Sequence, residues 1–366
     1  MQKADYDPEI FMSIAGTEEM TVDMIRYLYD YVDTPTLASI ASAITEDISG
    51  NRVSFVSNLI LNYTNVCNVR CNFCAFYRTG SEQDSYTFTI DRVIEEIEKY
   101  YDRFGITQLL IQGGVNPSLD LDYYLSLFRR IKTEFPRIGI NGLSTSEISF
   151  IAKKAKISVE DLLRQLKGAG LETVPGAGAE IFDADVRKIL GRPKGSDSEW
   201  LGVMETAHRM GIKTTATMMF GHVENSYHRG DHLYRLLTLQ RKYHGFLSFT
   251  PWNFEPGKTR LERDGLVTRR SGGDAVVRNI AISRIAFGHE IPVIQSSWLT
   301  NGIQMGQITV CSGANDWGGT IYDEKVIPAT GKDVGNLRKE TIIQALKDIG
   351  KVPVERDNLY RTVKVY

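Results

Sequence analysis

No apolar run in this sequence approaches the roughly 20 residues that a helix needs to cross a bilayer, which argues against a helical membrane span. The opening residues, MQKADYDPEIF, lack the basic-then-apolar pattern of an export signal. Cysteine is scarce: four in 366 residues cannot build a disulfide scaffold. Charge of one sign is missing too, since 43 Lys and Arg against 45 Asp and Glu leave a net charge of −2. Nucleic-acid binding needs clustered cations, and the richest basic run, VTRRSGG, is too short to supply them. There is no low-complexity tract and no short repeat. These absences predict a cytoplasmic chain with neither a membrane nor a nucleic-acid partner.

What is present is enough apolar material for a sizeable core, 42% of residues, of which the aromatics alone make up 10% of the chain. The first fifty residues read as helices: Met20, Ile25, Leu28 and Tyr29 recur at near-helical spacing, and TPTLASIASAITEDI follows. Beyond them, short β-type runs alternate with amphipathic stretches. NLILNY, TQLLIQ, IGINGL, LETVP, KTTATMMF, GFLSFTP and IPVIQ read as strands, with a weaker one near ANDWGGT. Segments such as DRVIEEIEKYYDRF, SVEDLLRQLKGAG and SDSEWLGVMETAHRMG read as the helices between them. Several start at a capping Ser or Asp, and two end on glycine. Such alternation means parallel strands joined by crossover helices. Seven or eight units predict an α/β fold, a (β/α)8 TIM-type barrel. An open doubly wound sheet would want a glycine-rich loop after its first strand, and here the first strand leads into cysteines. The expected organisation is an N-terminal helical extension over 1–52, the barrel over 53–330 and a C-terminal helical tail over 331–366.

Those cysteines, Cys67, Cys71 and Cys74, are spaced C-x3-C-x2-C in CNVRCNFC. In a barrel of this class the chemistry collects at the C-terminal ends of the strands, where strand one would deliver this loop. Three thiolates holding a cubane [4Fe-4S] cluster leave one iron without a protein ligand, open to a small molecule. Structural zinc is the alternative reading. It needs a fourth ligand, for which Cys311, His208, His222 and His228 are the candidates, and it would make the chain a zinc-stapled binding protein without catalysis.

The loop resembles that of the radical S-adenosylmethionine (SAM) enzymes, with Phe73 in the aromatic slot before the last cysteine. The resemblance implies that the open iron chelates SAM, which is split to methionine and a 5′-deoxyadenosyl radical. In QGGVNP, Gln112, Gly113 and Gly114 resemble the segment that meets the SAM amino group. Val115 stands where an acidic residue often follows. Ser144 and Ser146 are hydrogen-bond donors after strand three, with Ser146 also placed to cap the next helix. Glu180, in GAGAEIF, resembles a ribose ligand, since both hydroxyls of a diol can donate to one carboxylate. In TMMFGHVEN, His222 and Glu224 put two titratable groups at the rim as acid–base candidates. Trp252 and Phe254 are placed to stack on an aromatic ring. In GANDWGGT, Asn315 is a substrate-ligand candidate and Asp316 a third candidate base.

Several of these phrases together resemble the branch that serves menaquinone, by the futalosine route, and deazaflavin cofactors. TTATMMFGHVE with SFTPWNFEPG is most similar to the dehypoxanthine futalosine cyclases, ahead of aminofutalosine synthases and the FO synthase subunits. This implies abstraction of the ribose C4′ hydrogen and closure of C4′ onto the benzoate ring. It implies Arg78 or Arg192 as partner of the substrate carboxylate, and flavodoxin or ferredoxin as electron donor.

Overall fold

The computed structural model describes residues 6–7, 9–191, 195–335 and 337–366. Its strands in chain order are β1 (Arg52–Val56), β2 (Asn58–Leu61), β3 (Gln108–Ile111), β4 (Gly139–Gly142), β5 (Leu171–Val174), β6 (Lys213–Phe220), β7 (Phe246–Asn253), β8 (Val293–Ile294), β9 (Asp316–Gly319), β10 (Val352–Arg356) and β11 (Thr362–Val365). Strands β2 to β8 form one curled, seven-stranded parallel sheet whose neighbours follow chain order. The register runs from Asn58 opposite Gln108 to Leu61 opposite Ile111, and from Gln108 opposite Gly139 to Ile111 opposite Gly142. Helices cross between consecutive strands, as the alternating pattern requires.

The eighth position differs from the expected barrel strand. β9 belongs to a second sheet, in the order β11, β10, β1, β9, and meets the large sheet through isolated bridges, Gln295 with Asp316 and, just beyond β9, Leu59 with Tyr322. A few backbone hydrogen bonds span the seam, among them Ser296 N to Asp316 O at 2.8 Å and Ile60 N to Tyr322 O at 2.9 Å. The cause is local. β8 has two residues, and β9 carries Gly318 at φ 97°, so no continuous ladder can form there. β1 and β2 are one extended run interrupted at Ser57, and its two halves serve the two sheets.

The N-terminal helices Val22–Tyr31 and Thr34–Ser49 start at Thr21 and Asp33, whose side chains cap them. They lie against the helix Gly273–Phe287. Its Arg278 donates to the carbonyls of Leu28, Tyr29 and Val32 at 2.8–3.0 Å, satisfying groups that a helix end leaves open.

The C-terminal tail departs from the expectation of helix alone. One helix, Lys339–Lys347, is followed by β10 and antiparallel β11. Pro353 removes a donor that a continuing helix would need, and Val352 and Val354 favour an extended chain. The turn between these strands plugs the lower mouth of the curled sheet. Asn358 is 2% exposed and accepts from Gln108 Nε2 at 2.8 Å and Thr173 Oγ1 at 3.1 Å. Gly139 makes room for it, since a Cβ there would lie 2.3 Å from the Asn358 Cβ.

Candidate active site

The loop after β2 is closed by backbone pairing, Arg78 N to Asn65 O at 2.7 Å and Cys67 N to Arg78 O at 2.9 Å. Its far side is pinned through Asn72, which donates to Leu190 O at 2.8 Å and Ile189 O at 2.7 Å and accepts from Leu261 N at 3.1 Å. Gly114 packs beneath it, where any Cβ would sit 2.3 Å from the Val66 carbonyl; glycine is what lets the QGG turn and the cysteine loop approach. All three cysteines are half-buried. Among the described residues no three His, Cys, Asp or Glu groups converge on a single-ion position. The residues suggested for a zinc shell lie in other settings. Cys311 is exposed at the end of the helix Ile303–Val310, His208 is bonded to Thr214 Oγ1 at 2.8 Å, and His228 accepts from Asn225 N at 3.2 Å.

Inside the curled sheet lies a cavity of about 320 Å³. Alternate residues face it, Asn58, Ile60 and Asn62 on and just beyond β2 and Gln108, Leu110 and Gln112 on and just beyond β3, as the two-residue period of a barrel wall requires. Phe73 and Cys74 bring the cysteine loop to its edge, and Glu180 and Trp252 also line it. Seven lining side-chain atoms are buried without a hydrogen-bond partner among the described residues. They are Asn62 Oδ1, Gln112 Nε2, Asn141 Oδ1, Asn253 Oδ1, Ser297 Oγ, Thr300 Oγ1 and Trp317 Nε1. Buried polar groups are normally paired, so this wall is built for a polar ligand. The residues present therefore fit both an iron–sulfur cluster at the rim and a polar cofactor and substrate within.

Other expected site residues sit differently. The Gly113 N–H donates to Glu147 Oε1 at 3.1 Å. Ser144, not Ser146, caps the helix Thr145–Ala155, in a reciprocal box with Glu147. The helix begins two residues earlier than Ser146 capping would need. Glu147 was missed in the sequence, although S-x-x-E before an apolar run signals such a box. It is 1% exposed and also takes the Tyr63 hydroxyl at 2.5 Å, which makes it the post that holds the QGG turn. Glu180 adopts φ 42°, a strained value for a side-chain-bearing residue.

His222 and Glu224 do not line the cavity. The imidazole is fully buried, with Nδ1 accepting from Val223 N at 2.8 Å and Nε2 donating to Met219 O at 3.0 Å. That pattern fixes a neutral tautomer, and burial pushes its pKa below the ordinary value. Glu224 accepts from the N–H groups of Gly221 and His222 and from Arg229. Both residues brace the turn after β6 in place of the expected acid–base role. Asp316 is likewise engaged, with Arg356 Nε at 2.6 Å and Ser54 Oγ at 2.5 Å. Asn315 accepts from Arg284 and Ile294 N and donates to Pro292 O, so it joins segments of chain instead of facing substrate. Arg78 clasps its own loop, bidentate on Asp84 at 2.6 and 2.7 Å and donating to the carbonyls of Ala75, Phe76 and Tyr77. Arg192 lies outside the described residues. The inward carboxamides of Asn62, Asn141 and Asn253 were also missed. Their one signal was a polar residue at the end of, or within, an otherwise apolar strand.

The model of the radical SAM superfamily, whose members use a [4Fe-4S] cluster and SAM, matches residues 61–235, and that of the CofH/MqnC C-terminal region matches 243–366. The 5-amino-6-(D-ribitylamino)uracil–L-tyrosine 4-hydroxyphenyl transferase of Methanothermobacter thermautotrophicus is 39% identical over 353 residues, 96% of each chain. The aminodeoxyfutalosine synthase of Thermus thermophilus is 35% identical, covering 93% of this chain and 91% of that one. The cyclic dehypoxanthine futalosine synthase of Halalkalibacterium halodurans is 36% identical over 313 residues, 86% of this chain and 83% of that one. Among solved structures, methylornithine synthase superposes with a TM-score of 0.74 at 18% identity, covering 94% of this chain and 96% of that one, which speaks to the fold. Taken with the thiolate loop and the polar cavity behind it, these matches make the chain a radical SAM enzyme of the CofH/MqnC family.

Proposed function

We propose that the chain converts dehypoxanthine futalosine to cyclic dehypoxanthinyl futalosine. The observation that carries this reading is the cavity wall: unpartnered carboxamides and hydroxyls share one chamber with Trp252. A sugar tethered to an aryl ring has that mixture of hydroxyls and flat apolar surface in one molecule. The 36% identity to a cyclic dehypoxanthine futalosine synthase supports it.

The cluster and SAM, when bound, supply a carbon radical that accepts a hydrogen atom. Cys67, Cys71 and Cys74 would hold the cluster, and Gln112 and Glu180 would meet SAM. The carboxamides of Asn62 and Asn141 orient the ribose, and Trp252 stacks on the benzoate ring so that C4′ faces it. Holding those two carbons together supplies much of the acceleration. The substrate loses two hydrogens overall, one as an atom to the carbon radical and one as a proton whose electron would return to the cluster, and gains one bond, from C4′ to the ring. The proton leaving the ring needs an acceptor, and the cavity-lining carboxylates Glu180 and Glu255 replace His222, Glu224 and Asp316 as candidates. Flavodoxin or ferredoxin is the proposed electron partner.

The second reading is transfer of a 4-hydroxyphenyl group, favoured by the 39% identity to enzymes of that name. L-Tyrosine brings an ammonium and a carboxylate, which want charged partners in a buried site. A partner for the ammonium is the harder requirement, since Glu255 is engaged by Lys332 at 3.0 Å, which leaves Glu180 and Glu324 as the other carboxylates on the cavity wall. The test is an anaerobic reaction with SAM and each substrate set. Dehypoxanthine futalosine should give a product two hydrogens lighter; a product formed only from tyrosine and 5-amino-6-(D-ribitylamino)uracil would overturn the assignment.

A further inference from the structure

Neither Arg78 nor the engaged Arg356 offers a cation to a substrate carboxylate, yet two cations gather beyond the ends of β7 and β8. Lys332 Nζ donates to the Thr300 carbonyl and lies 3.0 Å from Glu255 Oε2. Arg270 Nη2 donates to Asn301 Oδ1. Its Nε stands 3.9 Å from the same Glu255 oxygen, too far for a hydrogen bond, and is buried without a partner among the described residues. Arg270 and Lys332 against Glu255 leave one positive charge unbalanced. Facing the cavity beside them, Ser297 Oγ and Thr300 Oγ1 belong to residues 6% and 1% exposed, and both are unpartnered. Three donors thus lack acceptors at a corner of net positive charge. Serine and threonine hydroxyls can turn to donate, and a guanidinium edge matches a carboxylate.

We propose that Ser297 and Thr300 on the cavity wall, with the charges of Arg270 and Lys332 directly behind them, form a subsite for an aromatic carboxylate, the benzoate end of the substrate. This rests on the cyclase reading and adds to it the anchor that fixes which end of the molecule enters. The anchor sits after β7 and β8, whereas the cysteine loop follows β2 and Gln112 follows β3. The aryl ring is thereby held between its carboxylate and the sugar.

The test is calorimetry on the full chain with two small probes, 3-ethylbenzoate and 3-ethylbenzamide, which differ in charge but hardly in shape. The wild type should prefer the acid by about tenfold, which corresponds to 1.4 kcal/mol. Arg270→Gln and Lys332→Gln should each abolish that preference, and Arg270→Lys should restore part of it. Far-UV dichroism checks folding, and if Arg270→Gln fails to fold, Lys332→Gln carries the same comparison. Equal binding of acid and amide by the wild type, or a preference that survives both neutral variants, overturns the subsite. Product mass from dehypoxanthine futalosine is read separately. No cyclised product with an intact acid preference fails the functional reading; cyclised product at unchanged KM in both variants fails the subsite.

Discussion

His232 is fully buried, stacked on Phe182 with ring centres 4.0 Å apart, and its Nε2 donates to the Thr217 carbonyl at 2.9 Å. Burial lowers its pKa to about 3, and burial likewise lowers His208 to about 4. Unfolded histidine titrates near 6.5, so between that value and the folded one the unfolded chain binds the proton and the native state does not. Stability is therefore complete above about pH 6.5 and falls as pH drops toward the folded values. Replacing His232 by Phe removes one of these protons. The variant should start less stable at pH 7, having lost the bond to Thr217. Between pH 7 and pH 5 the gap to the wild type should narrow by about 2 kcal/mol. Urea unfolding followed by tryptophan fluorescence at the two pH values measures this, and a constant gap would show that burial does not lower the His232 pKa below its unfolded value. His222 belongs to the same class of buried neutral ring. A histidine beside a glutamate invites a catalytic reading from sequence, but the acceptor and donor that occupy both its nitrogens are main-chain groups fixed only by the turn after β6.

Elements were legible where a run of apolar residues ended in a turn, which is why β2 to β7 could be read directly. β1 and β10 could not. RVSFV is one residue from NLILNY, so the change of sheet at Ser57 leaves no mark in the pattern, and VPVER follows a helix with only a short glycine turn between. Their pairing is long-range, and an ion pair braces it beside the backbone ladder. Asp316 of β9, fully buried, accepts from Arg356 of β10 and from Ser54 of β1. The same limit explains the site. Cys74, Gln112, Glu180 and Trp252 lie at the predicted rim and do line the cavity. Asp316 and Asn315 looked equally exposed to it, because whether a polar side chain faces inward depends on register and partner. Asp316→Asn leaves a buried arginine without its counter-charge, which costs about 3–5 kcal/mol. A denaturation midpoint lowered by that amount is expected, with activity per folded molecule largely retained. Lost turnover at unchanged stability would instead restore Asp316 as the base.

The whole molecule separates the chemistry from the fold. One continuous hydrophobic core runs from Phe11 through the curled sheet to Leu346, and a chain of this size buries most of its apolar surface without help from metal. Protein contacts attach the cysteine loop to that body: Asn72 to Leu190 and Leu261, and Asn68 N to Val115 O at 3.1 Å. A zinc-stapled domain behaves otherwise, since binding free energy there is folding free energy and chelators unfold it. Stripping iron and sulfide from this protein should therefore release the loop without releasing the core. The far-UV spectrum should be unchanged, and the cooperative melting transition should move by a few degrees at most. A shift of that size corresponds to about 2 kcal/mol in a chain this long. SAM cleavage and the visible charge-transfer absorption should vanish together and return together on anaerobic reconstitution. Collapse of the transition on chelation, restored by zinc alone, would mean that the three thiolates hold the fold together and would remove the ground for reading them as a catalytic centre.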